Sequence, residues 1–241
     1  MKNLTAFIGI FTAVLALEPC QAQASTVFNQ NLIINGDAES GSGGNGFTLL
    51  PIPGFTTTGN FTVTQYGAGG GFASITDPGP VYRGLNFFSG GDSNTSSSAT
   101  QQIDISNAST LVDSGDITFE LSAYLGGFSN HRDNAILNVS FLDVSNGSLG
   151  NASIGPITNS DRNNLTALML SSTTGFIPTG TRFIDVSLTM TRLDGSYNDG
   201  YADNLSLAIR PVPVPPAALL MISGLGTLFV GFRRRLRQSA A

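Results

Sequence analysis

The 241-residue chain has no tryptophan, one cysteine and one histidine, and only 11% of its residues are charged. Each scarcity removes a class of chemistry. The lone thiol, Cys20, lies just ahead of Ala22-Gln23-Ala24, so a chain cleaved after Ala24 keeps no cysteine for a disulfide, a thiolate metal ligand or a nucleophile. A lipoprotein reading of Cys20 meets Leu17-Glu18-Pro19 where a lipidation signal wants small residues. Between Ser25 and Ile209 there is no lysine, and the basic residues are Arg83, Arg132, Arg162, Arg182 and Arg192 against an excess of Asp and Glu. Such a surface repels phosphate backbones, which argues against a nucleic-acid partner. His131, in Asn130-His131-Arg132-Asp133-Asn134, would have to be the base of any Ser/His/Asp triad, and no Gly-x-Ser-x-Gly elbow accompanies it. One histidine plus carboxylates is also a poor zinc set, so His131 is expected to be a loop residue and no catalytic residue is assigned. Without tryptophan, sugar stacking falls to Tyr66, Tyr82, Tyr124, Tyr197 and Tyr201. Tyr197, flanked by polar acceptors in Asp194-Gly195-Ser196-Tyr197-Asn198-Asp199, is the candidate ligand platform, with packing at a strand end as the alternative.

The two ends are patterned. Lys2, the apolar stretch Leu4 to Leu17, a break at Pro19 and the Ala22-Gln23-Ala24 exit follow the order of a secretory signal peptide, expected over residues 1–24. At the other end, Pro211, Pro213, Pro215 and Pro216 form a stiff segment that cannot continue a strand. Residues 217–232 are then apolar and uncharged, and Arg233-Arg234-Arg235 with Arg237 follow at once. A helix of about 16 residues reaches about 24 Å, short of a bilayer core of about 30 Å but able to span it if arginine stems snorkel and the bilayer thins. The arginines would stay cytoplasmic and the preceding domain outside.

Between the ends, roughly 185 residues suffice for one domain with a genuine core. Ile117, Phe119, Leu121, Ala123 and Leu125 alternate with polar partners, as do Leu137, Val139 and Phe141, then Ile184, Val186, Leu188 and Met190, then Leu205, Leu207 and Ile209. A two-residue apolar period is that of half-buried strands. Phe61 to Thr64 and Ala99 to Ile105 also fit strands, and Gly- and Asn-rich breaks are expected at residues 67–71, 90–98, 145–151 and 194–200. Short strands with turns between them, and no long 3.6-residue period, predict an all-β sandwich or jelly roll over residues 25–210.

The tail over residues 211–241 resembles the PEP-CTERM sorting signal, in its Val-Pro-x-Pro-Ala variant. Val212, Pro213, Val214 and Pro215, then Pro216-Ala217, the apolar span and Arg233, Arg234 and Arg235 occur in the family's order, with Val214 where the parent motif has glutamate. The resemblance implies an exosortase-type processing enzyme as partner, membrane attachment before processing, and delivery to the cell envelope or extracellular material. Asn31 to Glu39 is similar to the opening strand of galactose-binding-like jelly rolls, a group that includes many carbohydrate-binding modules. Tyr201 to Leu207 is similar to their closing strand, and Gly84 to Phe88 with Ala99 to Ile103 to their central strand pair. This second resemblance implies that the first and last strands adjoin, bringing Glu39 and Asp203, with Asp37 nearby, to a possible structural calcium; Ca²⁺ takes oxygen ligands. The alternative is that these carboxylates are turn and strand-edge residues. The expected function is non-enzymatic binding of glycan or exopolysaccharide. A structural or adhesive matrix protein without a small ligand, and a secreted glycan hydrolase using paired carboxylates, are the other readings.

Overall fold

Strict alternation of buried and half-exposed side chains runs from Ile117 to Leu125, with Ile117, Phe119, Leu121, Ala123 and Leu125 all buried. That strand is β5 of ten in a computed structural model, which describes residues 27–213. In chain order they are β1 (Thr56–Thr58), β2 (Thr62–Gln65), β3 (Asn86–Asp92), β4 (Ser96–Asp104), β5 (Ile117–Gly127), β6 (Asn134–Leu142), β7 (Ser148–Ile154), β8 (Ala167–Phe176), β9 (Phe183–Thr191) and β10 (Tyr197–Pro211). A single helical turn, α1 (Ser109–Asp113), links β4 to β5. The strands form two antiparallel sheets, β1-β4-β9-β6-β7 and β2-β3-β10-β5-β8. The chain is therefore an all-β sandwich. The expected cleavage site at Ala22 and Ala24, the span over 217–232, and Val214, Pro215, Arg233, Arg234 and Arg235 lie outside the described residues. Val212 and Pro213 end the described chain, exposed beyond β10. Among the described residues no helix is long and apolar enough to cross a membrane.

The core lies between the sheets. Leu121 and Leu125 of β5, Leu205, Leu207 and Ile209 of β10, and Phe88 of β3 meet Leu137 and Val139 of β6 and Val186, Leu188 and Met190 of β9 in one buried cluster. Phe119 and Phe141 approach across the gap with ring centroids 5.1 Å apart. Burying an aliphatic or aromatic side chain of this kind contributes about 1.5–3 kcal/mol, so the apolar parity of the strands fixes which face turns inward.

Several local expectations are corrected. Asn31 to Glu39 is a run of turns rather than a strand. Asn35 and Ala38 take left-handed φ of 56° and 60°, which ends extended geometry. The segment still adjoins β10, because the Asn31 amide donates to the Leu205 carbonyl and accepts from the Leu207 N–H, as a neighbouring backbone would. The supposed central pair is divided: β3 lies in one sheet and β4 in the other. The expected breaks at 90–98, 145–151 and 194–200 each contain strand residues of β3 and β4, β7, or β10, since neutral Ser, Asn and Gly residues can occupy edges and strand ends.

The two outer faces differ. On the sheet holding β10, the connection from β2 to β3 folds back over the strands and lays Phe72 and Ala73 on Phe87, Leu168 and Tyr201, forming a second apolar cluster. Its Gly-rich start is what allows this: Gly67, Gly69, Gly70 and Gly71 all have positive φ, and a Cβ on Gly71 would stand 2.6 Å from the Phe128 ring. On the other sheet no described segment packs over the outer side chains that line its central groove. One cross-strand row runs Thr56, Thr100, Ser187, Asn138, Ser153, and the next runs Gln102, Asp185, Ser140, Asn151.

Candidate functional site

Three places gather polar chemistry. The first is at the covered face, where β10 bulges between Asp203 and Ser206. Asn204, at φ 50°, turns the strand there. The bulge leaves Asp203 fully buried on the covered side, its Oδ2 accepting from the Tyr66 hydroxyl at 2.7 Å and its Oδ1 from the Asn204 N–H at 2.6 Å. Loss of water pushes the Asp203 carboxyl up to about 8, a rise to which the charges of Glu39 and Asp37 add and which the Tyr66 and Asn204 hydrogen bonds oppose. Burial beside Asp203 likewise raises Tyr66. Glu39 Oε1 accepts the N–H groups of Leu85 and Asn86, each at 2.8 Å, and packs on Gly84, where a Cβ would come within 2.5 Å of it.

The charges of Glu39 and Asp37 both act on Asp203, so the three carboxylates lie toward one end of the sandwich. Asp37 lines a neighbouring cleft of about 340 Å³ with Asn31, Asn35 and Asn204. Glu39 and Asp203 offer oxygen donors only, the ligand type that a hard cation such as calcium takes, and both Asp203 oxygens and Glu39 Oε1 already accept protein hydrogen bonds that an ion would have to share or displace. The three carboxylates do not form a cluster with ligand atoms all within 4.8 Å of one another; among the described residues the group that does is His131, Asp133 and Asp199.

That group is the second place. His131 lies in the turn from β5 to β6, as expected of a loop residue, but its Nδ1 is 3.0 Å from Asp199 Oδ2. Asp199 Oδ1 accepts from the buried Tyr201 hydroxyl at 2.9 Å. Burial raises the Asp199 carboxyl, with Asp133 adding to the rise and Tyr201 and His131 opposing it. Asp133 accepts N–H groups from Leu193, Asp194 and Asp199 at 2.6, 2.8 and 2.8 Å. Protein donors therefore already meet every carboxylate oxygen of this cluster. Beneath it lies Arg162, 2% exposed, whose guanidinium donates to the carbonyls of Gly127, Ser129, Leu165 and His131. Burial lowers its affinity for its proton, and Tyr201, Asp199 and Asp133 support it. On the surface above, Arg132 clamps Asp194 and holds that carboxyl down to about 2. The arrangement ties the β5–β6 turn to the start of β10.

Tyr197 is not an open platform. Its ring is packed edge-on against Phe72 at 5.0 Å and Phe47 at 5.4 Å, and its hydroxyl donates to the Gly46 carbonyl at 2.7 Å and meets Ser89 at 2.9 Å. Burial pushes it up to about 12. Among the described residues the exposed rings are Phe47, at 59%, Phe176, at 65%, and Tyr82, at 91%.

The third place is a groove of about 500 Å³ on the bare outer face, lined by Thr56, Thr100, Gln101, Gln102, Asn138, Ser140, Asp185, Val186 and Ser187. Gln102 Nε2 donates to Asp185 Oδ1 at 2.9 Å, and Asn138 Nδ2 to Ser140 Oγ at 3.3 Å. Gln101 is turned aside to hold the Ile34 backbone. The lining offers amides and hydroxyls, both donors and acceptors, with one carboxylate and no cation. None of these residues was given a binding role from sequence; the available signal is that the outward positions of β4, β9 and β6 that line the groove, read in register, all carry hydrogen-bonding side chains, neutral except for Asp185.

No protein-family model matches the chain, and no curated protein matches it. Solved structures do. A cyclase from Fischerella sp. TAU is 14% identical, with 77% of this chain and 98% of that one covered at a TM-score of 0.50. A family 16 carbohydrate-binding module is 19% identical, with 74% and 99% covered at 0.41. The enzymatically active domain of tailspike protein 4 from bacteriophage CBA120 is 17% identical at 0.45, with 75% of this chain covered and only 21% of the tailspike. At 14% identity the cyclase match shows a shared fold alone, and function has to be argued from the site.

Proposed function

We propose that this chain is an exported protein of the cell envelope or extracellular matrix, sorted by its PEP-CTERM-like tail, whose β-sandwich binds glycan or exopolysaccharide without performing chemistry on it. The observation that carries the reading is the groove on β4, β9 and β6. Polysaccharides present neutral hydroxyls that both donate and accept, and the side chains of Thr100, Gln102, Asn138, Ser140 and Ser187 offer the same chemistry from a rigid sheet. A single carboxylate, Asp185, favours neutral or cationic polymers over acidic ones. With no aromatic ring in the lining, hydrogen bonds and buried carbon stems supply the affinity, which makes each contact weak and a long polymer the better ligand. Calcium held by Glu39 and Asp203 belongs to the same proposal as a structural ion at the far sheet, and an exosortase-type enzyme acting on the tail is the expected processing partner.

The test is affinity electrophoresis of the full chain in mild detergent through gels containing neutral and acidic polysaccharides. Retardation by at least one neutral polymer is expected, weakened about tenfold in Gln102→Ala and in Asp185→Ala, the loss of one or two hydrogen bonds to a bound ligand. A chain that no polymer retards, or whose retardation ignores both changes, would leave the groove without this role.

A further inference from the structure

Natural sheets blunt their edges with short strands, bulges, prolines or charges, because an unpaired strand is a template for another chain. Three of the four edges here are blunted. β1 has three residues and β2 has four. The Gly44 backbone also bonds to β2. β7 has seven residues, and its ladder with β6 slips between Phe141 and Leu142. The fourth edge, β8, is ten residues long, pairs with β5 without a slip, and contains neither charge nor proline.

The direction of its backbone groups is fixed at both ends. The Ile177 N–H reaches the Ile117 carbonyl on the β5 side, and the Leu168 N–H reaches the Pro78 carbonyl on the opposite side. Alternate residues share a side, so Leu170, Ser172, Thr174 and Phe176 turn their N–H and C=O groups away from the sheet. The same four residues are exposed, Leu170 at 59% and Phe176 at 65%.

We propose that β8 is the docking edge for a second copy of this chain, joined antiparallel about a two-fold axis at Thr173. That register places Leu170 opposite Phe176 of the partner copy and Ser172 opposite its Thr174. Each such pair exchanges two backbone hydrogen bonds, so all the outward groups of the four residues are satisfied at once. The two exposed apolar side chains on this face cover each other, the self-complementarity that a two-fold interface requires. Shifting the axis by one residue to Ser172 would call on the Leu168 N–H, which is already bonded to Pro78. The absence of charge on β8 lets two copies of a chain of formal net charge −5 approach along this edge without opposing like charges within it. Pairing makes one continuous ten-stranded sheet from two five-stranded ones.

Sedimentation of the full chain in detergent, across a wide concentration range, tests the proposal. The expected result is a reversible dimer, with Leu170→Lys and Phe176→Glu each raising its dissociation constant about tenfold, and the two changes combined in one chain returning it to within about threefold, since lysine then faces glutamate across the axis. Both positions are exposed, so the melting temperature of each variant, measured at a dilution where the parent is monomeric, stays at the parent value. A chain that remains monomeric, a dimer indifferent to both single changes, or a combination as weak as either one would overturn the proposal.

Discussion

The outer faces of the two sheets are built from strands of similar length, yet one is roofed by Phe72, Ala73 and the Gly-rich connection while the other is open to water. The roof changes what the same kinds of residue do. Under it, Asp203 and Asp199 lose solvent, each tied to a tyrosine hydroxyl and each with its protonation shifted upward; in the open, Asp185 and Gln102 meet at a comparable distance on the exposed face. A polar side chain beneath a cover stabilises or destabilises the fold according to its partners, whereas one on a bare face is free to serve a ligand.

The contrast can be broken most severely at Arg162. Arg162→Ala leaves four carbonyls without their donor and opens a cavity, and is expected to cost about 3 kcal/mol or more, lowering the melting temperature by about 6–12 °C for a domain of this size. Arg162→Lys should recover little of this, because one ammonium cannot span the fork. A smaller effect tests the charge under the roof. Asp203 has a folded value of about 8 against 3.8 when unfolded, so between those limits the folded state holds the extra proton and stability falls as pH rises, by up to about 1.4 kcal/mol per unit. Denaturant titrations at pH 5 and pH 8 should show that slope in the parent and a flatter one in Asp203→Asn; saturating calcium should flatten the parent alone if Glu39 and Asp203 bind the ion. Least of all, Thr100→Ala and Ser187→Ala on the bare face should shift stability by no more than about 0.5 kcal/mol in the same titrations.

How much of this could be read from sequence follows the same division. β5, β6, β9 and the end of β10 are core strands with one wet or polar side, and their alternation was visible because burial on the inner face imposes it. β7 and β8 are edges, rich in Ser, Thr, Gly and Asn, where backbone pairing with a neighbour decides the structure and the side chains carry little of the signal. The meeting of Glu39 with the Asp203 end was reachable only through the jelly-roll resemblance, and the turn geometry of Asn31 to Glu39 was not. Arg162 gave no sequence signal, since all its acceptors are backbone carbonyls, which every residue possesses. Tyr197 was read as a platform within the expected break at 194–200, but it opens β10, and its enclosure by Phe47 and Phe72 depends on residues more than a hundred positions away.

The row Thr56, Thr100, Ser187, Asn138, Ser153 turns the open sheet into a ruler. Graduations across it are about 4.8 Å apart, one for each strand, while along any single strand they recur about every 6.8 Å. A stiff polymer lying crosswise therefore meets a fresh hydrogen-bonding group at a different interval from one lying lengthwise, and the repeat length of its own units decides which orientation keeps step.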